Sequence, residues 1–178
     1  MSTVFISGSR HLGRLNQQVR QRLQNMIDGD LHVLIGDANG ADKAAQQFFA
    51  DHQYQSVTVY CMDHTCRNNV GAWPVNSVNG QGKRGFDYYT LKDAQMAMDA
   101  DCAFMMWDAK SRGTLTNVGR IIDAGKPAVV YFAPTHEFRN IKSRQDLESL
   151  LGDCSSEDVK KLASVPREKP QQKSLFAP

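Results

Sequence analysis

The sequence predicts a three-layer α/β fold: a parallel sheet of about five or more strands with helices on both faces. Two observations carry this. Short apolar runs suited to buried strands alternate with segments of helical period. The turns that follow the strands are rich in Gly, Ser, Asn and Asp, the residues of tight strand-to-helix connections.

The elements follow in order. "TVFIS" (Thr3 to Ser7) reads as the first strand. A helix from about Leu15 to Asp28 places Leu15, Val19, Leu23, Met26 and Ile27 on one face, and "LHVLIG" (Leu31 to Gly36) completes a β-α-β unit. Ala41, Ala44, Ala45, Phe48 and Phe49 have core-facing helical spacing, and "SVTVYCM" is the third strand. The stretch from Asp63 to Phe86 breaks the pattern as a long Gly- and Asn-rich loop, of the kind that carries function. A helix near Tyr88 to Asp99, the strand "CAFMMW", a helix near Thr114 to Ala124 and the strand "AVVYFA" restore it, giving five parallel strands. Gly125 and Pro127 stop the last of these helices. A short helix at Gln145 to Leu151, and another at Glu157 to Ala163, lead into a Pro-rich, charged tail. Met96, Met98, Met105 and Met106 read as core filling.

A chain of 178 residues supports one sizeable core, so the expected organisation is one domain over 1–152 and a tail over 153–178. A formal charge of +2 does not by itself announce a nucleic-acid or membrane partner. Neither a signal-peptide core nor a membrane-spanning run is present, so a cytoplasmic protein is expected. In that setting Cys61, Cys66, Cys102 and Cys154 are expected as reduced thiols. "CMDHTC" lacks a C-x-x-C pair and a fourth ligand, so no metal is expected, and no cofactor.

Ligands of open α/β sheets bind beyond the carboxyl ends of the strands. Three turns there share a character: "SGSR" with Gly8, Ser9 and Arg10; "GDANGAD" with Gly36, Asp37, Asn39, Gly40 and Asp42; and "WDAKSRGT" with Ser111, Arg112, Gly113 and Thr114. Glycine permits close approach, and a helix N-terminus offers N–H groups to an anion. The plainer reading makes them tight turns, with Asp42, Ser111 and Thr114 as helix caps. Arg10 and Arg112 beside two of the turns favour a nucleotide or anion site. Lys83 and Arg84 of the long loop read as closing over phosphates, or else as solvated loop charges. Trp73 stacks on a base or packs on the domain surface. Neither G-x-G-x-x-G nor a P-loop occurs.

"GSR", "GDANGADKAA", the loop Trp and "DADCAFMMWDAKSRGTLTNVGRIIDAGKPAVVY" together resemble the SLOG superfamily of Rossmann-like proteins, nearest its YspA-like, DUF2493-type group, over roughly Thr3 to Phe132. The superfamily includes cytokinin-activating phosphoribohydrolases, the DNA-uptake protein DprA and nucleotide sensors of antiviral systems. The resemblance implies a nucleotide-like ligand and self-association, in a bacterial or phage protein. It also implies a departure: where the phosphoribohydrolases carry a glutamate three residues after the turn threonine, this chain has Asn117, with Arg120 in place of a second acid. An amide can neither take a proton nor attack. A binding or sensing role is therefore expected first, with Asn117 lining the site. The rival is a nucleotide N-glycosidase or ribosyl-transferring enzyme, with Asp37, Asp42, Asp87 or above all Asp108 supplying the carboxylate. DNA binding of the DprA kind is the third reading, resting on Arg14, Arg20, Arg22 and the basic tail. In that tail, "QKSLF" (Gln172, Leu175 and Phe176) resembles a sliding-clamp binding motif, with Lys173 at its commonly apolar second position.

Overall fold

The computed structural model describes residues 1–154; the Glu157 to Ala163 helix and the clamp-like motif lie outside the described residues. The element order is β1 (Thr3–Gly8), α1 (Gln17–Asp28), β2 (His32–Gly36), α2 (Ala41–Asp51), β3 (Val57–Met62), β4 (Val75–Val78), α3 (Gly85–Asp99), β5 (Cys102–Trp107), α4 (Arg112–Asp123), β6 (Ala128–Phe132), β7 (Glu137–Ile141) and α5 (Arg144–Gly152). One seven-stranded sheet has the order β4-β3-β2-β1-β5-β6-β7. All neighbours are parallel except β6 and β7.

Because side chains alternate along a strand, each central strand feeds two cores. Val4, Ile6, Val33, Ile35, Phe104 and Met106 pack with Val19, Leu23 and Met26 of α1 and with Ala45, Phe48 and Phe49 of α2. Phe5, Leu34, Met105 and Trp107 face the other way, onto Met96 of α3, Leu115 and Ile121 of α4 and Leu147 of α5. These are the three expected layers.

Five strands are where the apolar runs placed them, and two more are present. β4 lies inside the loop between Asp63 and Phe86, and β7 pairs antiparallel with β6. Both are edge strands, and "VNSV" and "EFRNI" are too polar to show the pattern of a doubly buried strand. Helix α3 starts at Gly85 rather than near Tyr88, which brings Phe86 and Asp87 into its first turn. Met98 is not core filling but 64% exposed, and Trp73 is buried, its Nε1 donating to the Tyr54 carbonyl at 2.8 Å.

The cysteines need a larger correction: Cys61 and Cys66 form a disulfide, while Cys102 and Cys154 are free. Asp63 and His64, both at positive φ, reverse the chain after β3, and an antiparallel bridge between Met62 and Thr65 closes a miniature hairpin. The two Cα atoms are thereby brought to 5.0 Å. This tight reversal is what brings the two sulfurs within bonding reach. Closing so short a loop contributes only about 2 kcal/mol. Cys66→Ser is expected to lower unfolding free energy by about that amount in denaturant titration; equal loss in wild type and variant on adding a dithiol would contradict it.

Candidate functional site at the strand ends

The chain runs β1 to β4 outward in one direction and then returns to place β5 against β1. The order reverses between β1 and β5, and a crevice opens beyond the carboxyl ends of such a pair. Of the predicted turns, the first and the third flank it. Gly8 sits at its base: a Cβ there would lie 2.5 Å from the Ala41 Cβ and 2.8 Å from the Met106 carbonyl oxygen.

Ser9 is fully buried and latches the two sides together. Its backbone N–H donates to the Met106 carbonyl at 2.9 Å, and its hydroxyl donates to Asp108 Oδ1 at 2.7 Å. The same carboxylate oxygen accepts the backbone N–H groups of Lys110 and Ser111 at 3.0 and 2.8 Å. Burial pushes the Asp108 carboxyl up, but the Ser9 hydroxyl and these N–H groups outweigh it and hold the carboxyl below its ordinary range. Asp108 is thus an anion that organises the turn into α4.

Ser111 is the N-cap of α4, its hydroxyl accepting from Thr114 N at 3.3 Å and from Thr114 Oγ1 at 2.9 Å. Thr114 is therefore not a cap; it is buried and faces Ser111. Asp42 is not one either: the N-cap of α2 is Gly40, without a side-chain bond. Gly40 has φ 83°, and from this bend Ala41 donates its N–H to the Ser9 carbonyl at 3.2 Å, tying the second turn to the first.

Beneath the second turn lies a charged cluster with Lys92 at its centre. Lys92 is 3% exposed, with Nζ 2.9 Å from Asp93 Oδ1 and 3.8 Å from Asp37 Oδ1. Burial pulls the Lys92 ammonium down, yet the carboxylates of Asp93, Asp42 and Asp37 more than offset it and raise its pKa. Arg67, from the loop after β3, donates its backbone N–H, Nε and Nη2 to Asp37 at 3.0, 3.1 and 2.6 Å. Those bonds and the Lys92 charge override burial and lower the Asp37 pKa. Gly36 explains itself here: a Cβ would sit 2.6 Å from Asp42 Oδ2 and 2.7 Å from Lys92 Nζ. Asn117 joins the same cluster. It is buried, donates to Asp93 Oδ2 at 3.1 Å and accepts from Arg120 Nη1 at 3.2 Å.

Asp42 differs from its neighbours. It is buried, Oδ2 accepts one long bond from Ala38 N at 3.3 Å, and Oδ1 has no hydrogen-bond partner among the described residues. Burial raises its pKa to about 7 against the opposing charge of Lys92. In the unfolded chain the same group titrates near 4, so between about pH 4 and 7 the native state binds the extra proton and stability falls as pH rises. Asp42→Asn should flatten that segment of the stability–pH curve and gain on wild type as pH approaches 7. Parallel curves for the two proteins in denaturant titrations at several pH values would refute the assignment.

The predicted site residues thus divide. Ser9, Gly36, Asp37, Asp42, Thr114 and Asn117 are buried, whereas Arg10, Asn39, Lys83, Arg84 and Arg112 are exposed. Gly8, Gly40, Ser111 and Gly113 lie between, at the backbone surface. Sequence reasoning missed Arg67, Lys92 and Asp93. A signal existed for Lys92: with Met96 and Ala97 it completes the buried stripe of α3. Among the described residues no group of three or more His, Cys, Asp or Glu could hold a metal ion, and no helix is long and apolar enough to cross a membrane.

Two solved structures share this architecture. DNA processing protein A from Helicobacter pylori, described with a single-stranded DNA binding mode, superposes with a TM-score of 0.56 at 16% identity, over 72% of this chain and 64% of that one. DprA from Streptococcus pneumoniae gives a TM-score of 0.56 at 15% identity, over 94% of this chain and 62% of that one. The likeness is one of fold. This chain spans less than two thirds of the length of either protein. No family model and no curated protein matches the sequence.

Proposed function

We propose that the chain binds a phosphate-bearing, nucleotide-derived ligand at the crevice between β1 and β5, as a binding or sensing protein. The observation that carries this is the placement of Arg10 and Arg112, both exposed, on opposite sides of the strand-order reversal, with Arg112 itself at the N-terminus of α4. Guanidinium groups and free helix N–H groups together suit a phosphate. Lys83 and Arg84 add positive charge from the start of α3. Hydrolysis is the weaker reading. Asp108 is occupied in holding the turn, and Asn117 in holding Asp93, so neither stands ready as acid or nucleophile.

A second reading, single-stranded DNA as the ligand, is favoured by the fold shared with the DprA proteins. A thermal-shift screen with nucleoside monophosphates and an oligothymidylate tests both, since a ligand that binds only the folded state at a hundred times its Kd stabilises it by about 2.7 kcal/mol. Arg10→Ala and Arg112→Ala are each expected to weaken binding about tenfold. No stabilisation by any of these ligands, or equal stabilisation of the double variant, would defeat the proposal. Release of free base that disappears in Asp108→Asn would restore the hydrolase.

A further inference from the structure

Two large rings stand exposed beside the crevice: Phe86 at 43% and Tyr89 at 37%. Both belong to the first turns of α3, three residues apart, and so share one face of the helix. Arginines from three separate turns lean on them. Arg112, after β5, has its Cζ 4.9 Å from the Phe86 centroid; Arg67, after β3, lies 4.5 Å from Tyr89; and Arg10, after β1, lies 5.9 Å from Tyr89. The rings are held in place. Tyr88 meets Tyr89 edge-on at 5.0 Å and is itself anchored by donating to Asp63 at 2.7 Å, while Phe86 lies beside Gly113 in the first turn of α4, its Cε2 3.9 Å from where a Gly113 Cβ would be.

The domain has no need of these rings for its core, since both sheet faces are filled by other side chains. Arg67 is held by its pairing with Asp37, but a purely apolar partner would not account for the exposed guanidinium groups of Arg10 and Arg112, nor a bare phosphate for two exposed rings. A nucleotide carries both a flat π-face and an anion. The two rings are offset along α3 by about 4.5 Å, which leaves room for one base, or two adjacent unstacked ones, but a paired base inside a duplex hides its faces. We propose that Phe86 and Tyr89 form a stacking lip for an unpaired nucleobase whose phosphate rests on Arg10, Arg112 and the α4 N-terminus. The proposal builds on the phosphate-site reading above and names what the ligand must carry besides phosphate. Arg112 and Arg10, now resting on the rings, are positioned to turn toward the phosphate as the base takes their place.

Binding of the full chain to adenosine 5′-monophosphate, ribose 5-phosphate, a single-stranded oligothymidylate and a duplex of equal length tests this. Expected is a preference of about tenfold or more for the base-bearing probe over ribose 5-phosphate, lost in Phe86→Ala or Tyr89→Ala and kept in Phe86→Tyr. Phe86→Trp should show quenched emission on binding beyond any change seen in wild type, whose Trp73 and Trp107 are buried. Ring-dependent binding of the monophosphate assigns a small-molecule source, and ring-dependent binding of the single strand alone assigns a polynucleotide. Ribose 5-phosphate bound as tightly as the nucleotide, alanine variants bound like wild type, or a duplex bound as well as the single strand would remove the lip and leave the phosphate site standing. No binding of any probe would remove both.

Discussion

Lys92→Met is expected to destabilise the domain by about 3–5 kcal/mol at neutral pH, a large fraction of what a single domain has. The volume change is small, so the loss is electrostatic. Without the ammonium, and among the described residues, Asp93 keeps the Asn117 amide, Asp42 one long bond from Ala38, and Asp37 its bonds from Arg67. Several acidic groups would then share a buried site with their central cation removed. The stability of the variant should rise as pH falls, because protonating those carboxyls removes the uncompensated charge. Asp93→Asn combined with Lys92→Met should cost less than the sum of the two single changes, since the pair is in contact at 2.9 Å. Chemical denaturation of the four proteins at neutral and mildly acidic pH measures all of this. A Lys92→Met protein within about 1 kcal/mol of wild type at neutral pH would show that the cluster is not held by its cation.

The same cluster shows where reading the sequence stops. The parallel core was legible because "TVFIS", "LHVLIG", "CAFMMW" and "AVVYFA" are buried on both faces and therefore apolar throughout. The turns were legible because Gly8, Gly36 and Gly40 stand where a Cβ would collide with neighbouring atoms. Their partners were not. Asp37 reads as a ligand-site residue or spare carboxylate until Arg67 arrives from a loop 30 residues on, and Ser9 reads as a ligand hydroxyl until Asp108, 99 residues away, accepts its hydrogen bond. Asn117 is the sharper case. Family resemblance marks it as a missing acid; the structure shows an amide that both donates to Asp93 and accepts from Arg120, a bridging role a glutamate beside Asp93 could not fill. β4 and β7 escaped for a different reason, since edge strands trade apolar pattern for polar residues.

Gly40→Ala is expected to be as damaging as the loss of Lys92, and to remove ligand binding with stability. Gly40 combines φ 83° with ψ −126°, a conformation that costs an L-residue about 1–3 kcal/mol in strain. A Cβ there would also overlap the backbone of Arg10, so either the second turn or the first must move. The first turn carries Arg10, and its Ser9 carbonyl accepts the Ala41 N–H that joins the two. Strain and displacement therefore act on the proposed phosphate site together, and a loss of about 3 kcal/mol or more is expected in denaturant titration. Gly82→Ala separates the two causes. Gly82 has φ 71° but nothing within 4 Å of a new Cβ, so it should lose only about 1 kcal/mol, with nucleotide affinity unchanged. If Gly40→Ala cost no more than Gly82→Ala and bound nucleotide like wild type, the two turns would be independent, and the second turn would have no part in holding the first at the crevice.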